Sequence, residues 1–138
     1  MKPIRVTKAF LDTNVLLYLL SGDAAKADRA DALLFEGGVI SVQVLNEFAH
    51  VARRKFKAPW EAVWTSLAAI QANVAIEPLT LETHSLGLRI AERYQLSVFD
   101  GLLLASANLA GCDRFYSEDM QDGMNVGGLT IRNPFIGA

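Results

Sequence analysis

Val6-Thr7-Lys8-Ala9-Phe10-Leu11-Asp12-Thr13-Asn14-Val15-Leu16-Leu17-Tyr18 is the stretch on which the reading of the fold turns. Val6 to Asp12 ends in the short apolar run of a buried strand. Thr13 to Leu20 carries the aliphatic content of a helix, capped by Asp12 or Thr13. A buried strand passing straight into a helix is the first half of an α/β unit, and the remaining sequence repeats the alternation.

Ser21-Gly22-Asp23 stops the first helix, an alanine-rich helix runs from about Ala24 to Phe35, and Glu36-Gly37-Gly38 breaks it. Val39-Ile40-Ser41 reads as a strand feeding a helix through Arg54. Pro59 opens a further helix containing Trp60, Trp64 and Leu67. Val74 to Glu77 is strand-like and ends at Pro78. Leu81 to Tyr94 and Gly101 to Gly111 read as helices, Arg114 to Ser117 as a strand, and Gly127-Gly128 precedes a last strand, Leu129 to Arg132. The expected fold is therefore α/β, with a mostly parallel central sheet flanked by helices on both faces. Such sheets bind ligands beyond the carboxyl ends of their strands.

The chain has 138 residues, 51% of them hydrophobic and 20% charged, which suits one ordinary core and one domain over residues 1–138. Cys112 is the single cysteine, so no internal disulfide forms, and His50 and His84 alone make no Cys/His set of zinc-site spacing. Met1-Lys2-Pro3-Ile4-Arg5 leads into no long apolar leader, and Val15 to Leu20 is too short to span a bilayer. A cytoplasmic protein that engages no membrane is expected. A net charge of −2 gives none of the basic footprint of a passive nucleic-acid binder, so contact with nucleic acid must be local or metal-assisted.

Four stretches place a carboxylate against apolar neighbours: Phe10-Leu11-Asp12, Val44-Leu45-Asn46-Glu47-Phe48, Val98-Phe99-Asp100 and Phe115-Tyr116-Ser117-Glu118-Asp119. A carboxylate in such surroundings loses hydration and must raise its pKa or find a partner, yet few basic residues stand beside any of the four. A hard divalent cation such as Mg²⁺ supplies the missing charge, because it takes oxygen ligands from one or two carboxylates and retains several waters. Asp12 and Glu118-Asp119 follow strands directly, Glu47 lies early in a helix after one, and Asp100 opens a helix after the extended Leu96 to Phe99. Helix capping accounts for Asp12 and Asp100 taken singly. Glu47 cannot be a cap, and its plain alternative is a solvated face shared with Gln43 and Arg54. Glu118, Asp119 and Asp122 compete for the fourth position, with Asp122-Gly123 itself resembling a turn. Thr13, Asn14 and Ser117 are the candidates for orienting the carboxylates, each equally readable as a helix-start residue.

These motifs together resemble the PIN-domain ribonucleases, and especially the VapC-type toxins of bacterial toxin–antitoxin pairs. The resemblance rests on Leu11-Asp12-Thr13-Asn14 with its aliphatic helix, on Ser41 with Glu47-Phe48, on Asp100 opening the alanine-containing Gly101 to Ala105, on Ser117-Glu118-Asp119, and on the closing Ile131-Arg132-Asn133-Pro134-Phe135. It covers most of the chain, and the four acidic motifs in order carry its specificity. It implies a PIN-like domain that hydrolyses RNA with Mg²⁺ or Mn²⁺ held by Asp12, Glu47, Asp100 and Asp119. Asp12 and Asp100 are expected as direct ligands, with Glu47 and Asp119 binding a second ion or orienting the water. The resemblance also implies toxicity restrained by a cognate antitoxin, and a homodimer. The crowding of acids after Phe115 departs from the family pattern and leaves the fourth ligand open between Glu118, Asp119 and Asp122.

Arg53 and Arg54, with His50, Lys55 and Lys57, form the densest basic stretch, just beyond Glu47. A basic helix end opposing its dipole is the commoner explanation, and a guide for an RNA backbone is the functional one. Trp60 and Trp64, spaced i and i+4, share a helix face for which core packing is the favoured reading and a partner surface the minority one. No GxxxxGK[ST] or GxGxxG phosphate loop occurs, which argues against a nucleotide-driven enzyme. Three rivals stay in view. An aspartyl-phosphate phosphatase would place an Asp where Asn14 stands. A phospho-accepting receiver domain would want an acid beside Asp12 and a late-strand Lys. A catalytically silent module would have no need of the full acidic set.

Overall fold

Short apolar segments bounded by turn residues become β1 (Ala9–Leu11), β2 (Val39–Ser41), β3 (Ala75–Glu77), β4 (Arg114–Tyr116), β5 (Asn125–Val126) and β6 (Leu129–Arg132). The helices are α1 (Thr13–Leu17), α2 (Ala24–Glu36), α3 (Val42–Arg54), α4 (Trp60–Asn73), α5 (Leu81–Tyr94) and α6 (Val98–Leu109), and a 3₁₀ turn at Tyr18–Leu20 extends α1. This computed structural model describes residues 8–136. Met1-Lys2-Pro3-Ile4-Arg5, together with the Val6 and Thr7 expected to begin the first strand, lies outside the described residues.

The sheet order is β3-β2-β1-β4-β6-β5, with every neighbouring pair parallel except β5 and β6. Parallel strands need long crossovers; helices supply them from β1 to β2, β2 to β3 and β3 to β4, and the segment from Ser117 to Gly128, which includes β5, supplies the one from β4 to β6. Phe10, Phe115 and Ile131 lie side by side in one register row and are fully buried. The rings of Phe10 and Phe115 stack with centroids 5.2 Å apart and planes inclined by 5°. Burying each ring contributes about 1.5–3 kcal/mol, enough for this row to fix the register of the central strands. Among the described residues no helix is long and apolar enough to cross a membrane.

One strand is added to those expected, and two expectations are corrected. The strand pair β5–β6 is a hairpin whose first strand, two residues long, is too short for periodicity to reveal; Gly127 and Gly128 both take positive φ (57° and 86°), which a two-residue hairpin turn requires. Val98 and Phe99 are not extended: α6 begins at Val98. Trp60 and Trp64 do share a face, but it is the exposed one (56% and 67%), because the core side of α4 is carried by Val63 and Ile70. The Arg53 guanidinium lies 4.7 Å from the centre of the Trp60 ring.

α5 and α6 approach each other closely near the start of α6. A Cβ on Gly101 would meet the Gly87 carbonyl oxygen at 2.4 Å, and one on Gly87 would meet Leu102 Cα at 2.9 Å. Only hydrogen fits at either point.

Candidate functional site

The Asp12 N–H continues the sheet ladder by donating to Tyr116 O at 3.0 Å, which delivers the Asp12 side chain to the carboxyl edge. Asp12 is 5% exposed. Its Oδ1 accepts from the Thr13 N–H at 2.7 Å, and its Oδ2 accepts from Ser117 Oγ at 2.8 Å and Asn14 Nδ2 at 3.1 Å. It therefore caps α1 and faces the edge at once. Desolvation pushes its carboxyl from 3.8 to about 7; the Ser117 and Thr13 hydrogen bonds oppose this, while the charges of Asp100 and Glu47 add to it.

Glu47 stands in the second turn of α3, half-buried. Thr13 Oγ1 donates to Oε2 at 2.7 Å and Gln43 Nε2 to Oε1 at 3.1 Å, so its carboxylate is held from two elements. Asp100 is the third residue of α6 and is not its cap. Ser97 is, its Oγ accepting the Asp100 N–H at 3.1 Å. Burial raises the Asp100 carboxyl above its ordinary value, the Ser97 hydrogen bond opposes this, and Glu47 and Asp119 raise it further.

The three acids after β4 separate cleanly. Glu118 receives Lys26 Nζ at 2.6 Å and the Tyr18 hydroxyl. Burial raises its carboxyl, but these two donors more than offset that and hold it below the carboxylate range. Asp122 Oδ1 accepts the Asn133 N–H at 2.8 Å and belongs to a turn. Asp119 accepts from Asn14 Nδ2 at 3.1 Å. Asn14 also donates to Ser117 Oγ at 3.2 Å, and its Oδ1 accepts the Glu118 N–H at 3.1 Å, so one amide fastens this segment to Asp12. Ser117 is fully buried and also accepts the Met120 N–H at 3.2 Å.

Asp12, Glu47, Asp100 and Asp119 line one open cleft of about 420 Å³, with Asn14 and His50. A hollow of about 430 Å³ beside Lys8, Glu36 and Arg114, at the amino ends of the strands, gathers no such set. Gln43, read from the sequence only as part of a solvated face, and His50, read only as part of the basic stretch, also line the cleft; Gln43 stands at i, i+4 to Glu47, the spacing that announces such a contact. Arg53 and Arg54 form the last turn of α3 and share a shallow surface depression with His50 and Trp60. Arg53 also donates to Ala58 O at 3.0 Å. Ser41 is fully buried, does not line the cleft, and has no partner for its hydroxyl among the described residues.

Among the described residues none of the four cleft carboxylates forms a salt bridge, the recorded pair being Lys26 with Glu118. Nor, among the described residues, do any three His, Cys, Asp or Glu side chains stand as a group that could hold a metal ion. The four carboxylates offer oxygen donors alone, in a cleft buried on one side and open to water on the other. That chemistry fits a hard divalent ion held by one or two carboxylates plus waters, and does not fit a caged structural ion.

A family model described as PIN domain matches residues 9–121. No curated protein matches the sequence significantly. Similar solved structures include a toxin-antitoxin complex from Klebsiella pneumoniae, at TM-score 0.72 and 20% identity, covering 93% of this chain and 98% of that one. VapC20 from Mycobacterium tuberculosis, a toxin that cleaves the sarcin-ricin loop, is similar at TM-score 0.65 and 20% identity, covering 81% and 90%. VapBC2 from Rickettsia felis bound to a promoter DNA fragment is similar at TM-score 0.68 and 15% identity, covering 92% and 98%.

Proposed function

The chain belongs to the PIN-domain family, and from that premise we propose that it is a divalent-metal-dependent endoribonuclease and the toxin of a type II toxin–antitoxin pair. The observation that carries the proposal is the cleft in which Asp12, Glu47, Asp100 and Asp119 meet without a basic partner among the described residues. In this reading residues 1–138 are one domain, the protein acts in the cytoplasm, and a cognate antitoxin and a second copy of the chain are its partners. Solved neighbours that are toxin–antitoxin complexes support the antitoxin.

Asp12 and Asp100 would hold Mg²⁺ or Mn²⁺ directly, and Glu47 and Asp119 would bind a second ion or orient the attacking water. Bound there, the cation supplies positive charge that offsets charge developing on the phosphodiester and acidifies the attacking water. Thr13 and Gln43 fix the Glu47 carboxylate, while Asn14 and Ser117 hold Asp12 and Asp119 in register. Arg53 and Arg54 would meet the RNA backbone at the edge of the cleft.

The test is incubation of the purified chain with RNA, with Mg²⁺ or with excess chelator, beside Asp100→Asn. Cleavage should need the metal and the carboxylate, and water attack with loss of the 3′ oxygen should leave 5′-phosphate and 3′-hydroxyl ends. Undiminished cleavage in chelator, or 2′,3′-cyclic phosphate ends, overturns the mechanism.

A further inference from the structure

Beyond Asn14, Leu17 and Asp119, which line both spaces, the acidic cleft continues into a second one of about 410 Å³. Its walls include Tyr18, Ser21, Lys55, Phe56 and Glu118, contributed by the end of α1, the end of α3 and the segment after β4. We propose that this second cleft is a stacking subsite for a nucleobase adjacent to the scissile phosphate, with Phe56 and Tyr18 as its aromatic surfaces and Lys55 as its phosphate contact. The proposal rests on the ribonuclease reading and adds to it where the substrate's neighbouring nucleotide lies.

The walls are held in place before any ligand arrives. Tyr18 meets Phe135 edge-on, centroids 4.9 Å apart at 67°, with Lys26 Nζ 4.8 Å from its ring centre. The turn bearing Lys55 and Phe56 is pinned by the Lys55 N–H to Val51 O at 2.8 Å and the Ala58 N–H to Ala52 O at 3.0 Å, with Lys57 in the left-handed region at φ 53°. Fixed aromatics cost little ordering on binding.

What the cleft can read follows from which groups are already engaged. Ser21 Oγ donates to Tyr18 O at 3.0 Å and accepts the Asp23 N–H at 3.2 Å. The Tyr18 hydroxyl donates to Glu118 and accepts from Lys26 Nζ at 3.1 Å, and Glu118 takes Lys26 on its other oxygen. The Ser21, Tyr18 and Glu118 groups are thus satisfied by one another and by Lys26, whereas Lys55 forms no salt bridge among the described residues and its ammonium lies 5.7 Å from the centre of the Phe56 ring. Aromatic faces beside an ammonium, in walls where the Ser21, Tyr18 and Glu118 groups are already paired, favour stacking over hydrogen-bonded readout. The base preference should therefore follow stacking strength, with adenine above uracil.

The experiment measures binding of single-stranded decamers of oligo(A) and oligo(U) by fluorescence anisotropy, in Asp100→Asn protein with Mg²⁺, so that affinity is read without turnover. Phe56→Leu keeps apolar bulk and should weaken oligo(A) roughly tenfold, with a smaller loss for oligo(U); Phe56→Trp should restore it, and a thermal melt should show all variants folded. Lys55→Gln should flatten the dependence of log affinity on log salt by about 0.7, the value for one contact to single-stranded phosphate. With Asp100 intact, Phe56→Leu should lower kcat/KM for RNA cleavage. Unchanged affinity and kcat/KM in Phe56→Leu overturn the subsite while leaving the nuclease standing. Phe56-dependent binding by a chain that never cleaves supports the subsite and removes the nuclease. Loss of a co-expressed antitoxin with RNA affinity unchanged makes the cleft a protein-docking surface and overturns the proposal.

Discussion

Thr13 Oγ1 donates to Glu47 Oε2 at 2.7 Å across 34 residues of sequence, joining the first turn of α1 to the second turn of α3 at the floor of the acidic cleft. The bond fixes the carboxylate that enters from the helix and leaves the one at the strand end to its own donors. Thr13→Val keeps the shape and removes the donor. Glu47 retains Gln43, so the stability cost should be about 1 kcal/mol by thermal melting. RNA cleavage should fall roughly 10-fold or more, in kcat rather than KM, and Thr13→Ser should recover it. Equal rates in Thr13→Val and wild type would make the bond purely structural.

The charge of Asp12 should govern metal-free stability, and its sign can be worked out. Its folded-state carboxyl is raised to about 7 from 3.8, first by desolvation. The unfolded chain therefore ionises first. Stability associated with the neutral acid is fully present below about pH 4 and is lost as pH rises through about 7. At 1.36 kcal/mol per pKa unit this amounts to at most about 4 kcal/mol. In chelator, Asp12→Asn should melt at or below wild type at pH 5 and above it at pH 8. Added Mg²⁺ should raise wild type more than the variant. A variant that melts below wild type by the same margin at both pH values would contradict the buried-charge account.

Much of this arrangement was legible because the informative residues break local rules. Asp12, Glu47 and Asp100 each interrupt an apolar run, and strand order alone brought them to one edge. Asp119 was less legible: choosing among it, Glu118 and Asp122 depends on Lys26, Tyr18 and Asn133, partners from distant segments that no local pattern announces. Asp100 looked like a cap because an Asp before Gly101 has the right composition, yet Ser97 outcompetes it by lying three residues earlier, where its Oγ reaches the N–H of Asp100. The error over Trp60 and Trp64 has a different source. Helical spacing states which residues share a face, and the direction of that face was set by Val63 and Ile70 packing beneath it.

The separation of the three late acids makes a ranked prediction. Asp119→Asn should reduce cleavage by roughly 10- to 100-fold, the range for groups that orient a metal or its ligands. Asp122→Asn preserves an oxygen for the Asn133 N–H and should cleave almost as wild type, whereas Asp122→Ala should lose about 1 kcal/mol of stability. Glu118→Gln weakens the half-buried pair with Lys26 and should change stability by about 1 kcal/mol. Steady-state cleavage and melting of the four variants decide the order, and a larger activity loss in Asp122→Asn than in Asp119→Asn would move the fourth site residue.

The contact between α5 and α6 should matter to the site as much as to the fold, because Gly101 directly follows Asp100. With a Cβ at Gly101 only 2.4 Å from the Gly87 carbonyl oxygen, neither backbone can yield locally, and Gly101→Ala must push α6 away from α5. Overpacking of this kind costs about 1–3 kcal/mol, and the displacement carries Asp100 out of register with Asp12 and Glu47. Gly101→Ala should therefore lose activity even at temperatures where it remains folded. Gly87→Ala, which meets Leu102 Cα at 2.9 Å, should behave alike. Gly22 is the control: nothing lies within 4 Å of its added Cβ, so Gly22→Ala should be neutral or stabilise by up to about 1 kcal/mol. If Gly101→Ala melts and cleaves as Gly22→Ala does, the close packing of α5 on α6 is not what holds Asp100 at the cleft.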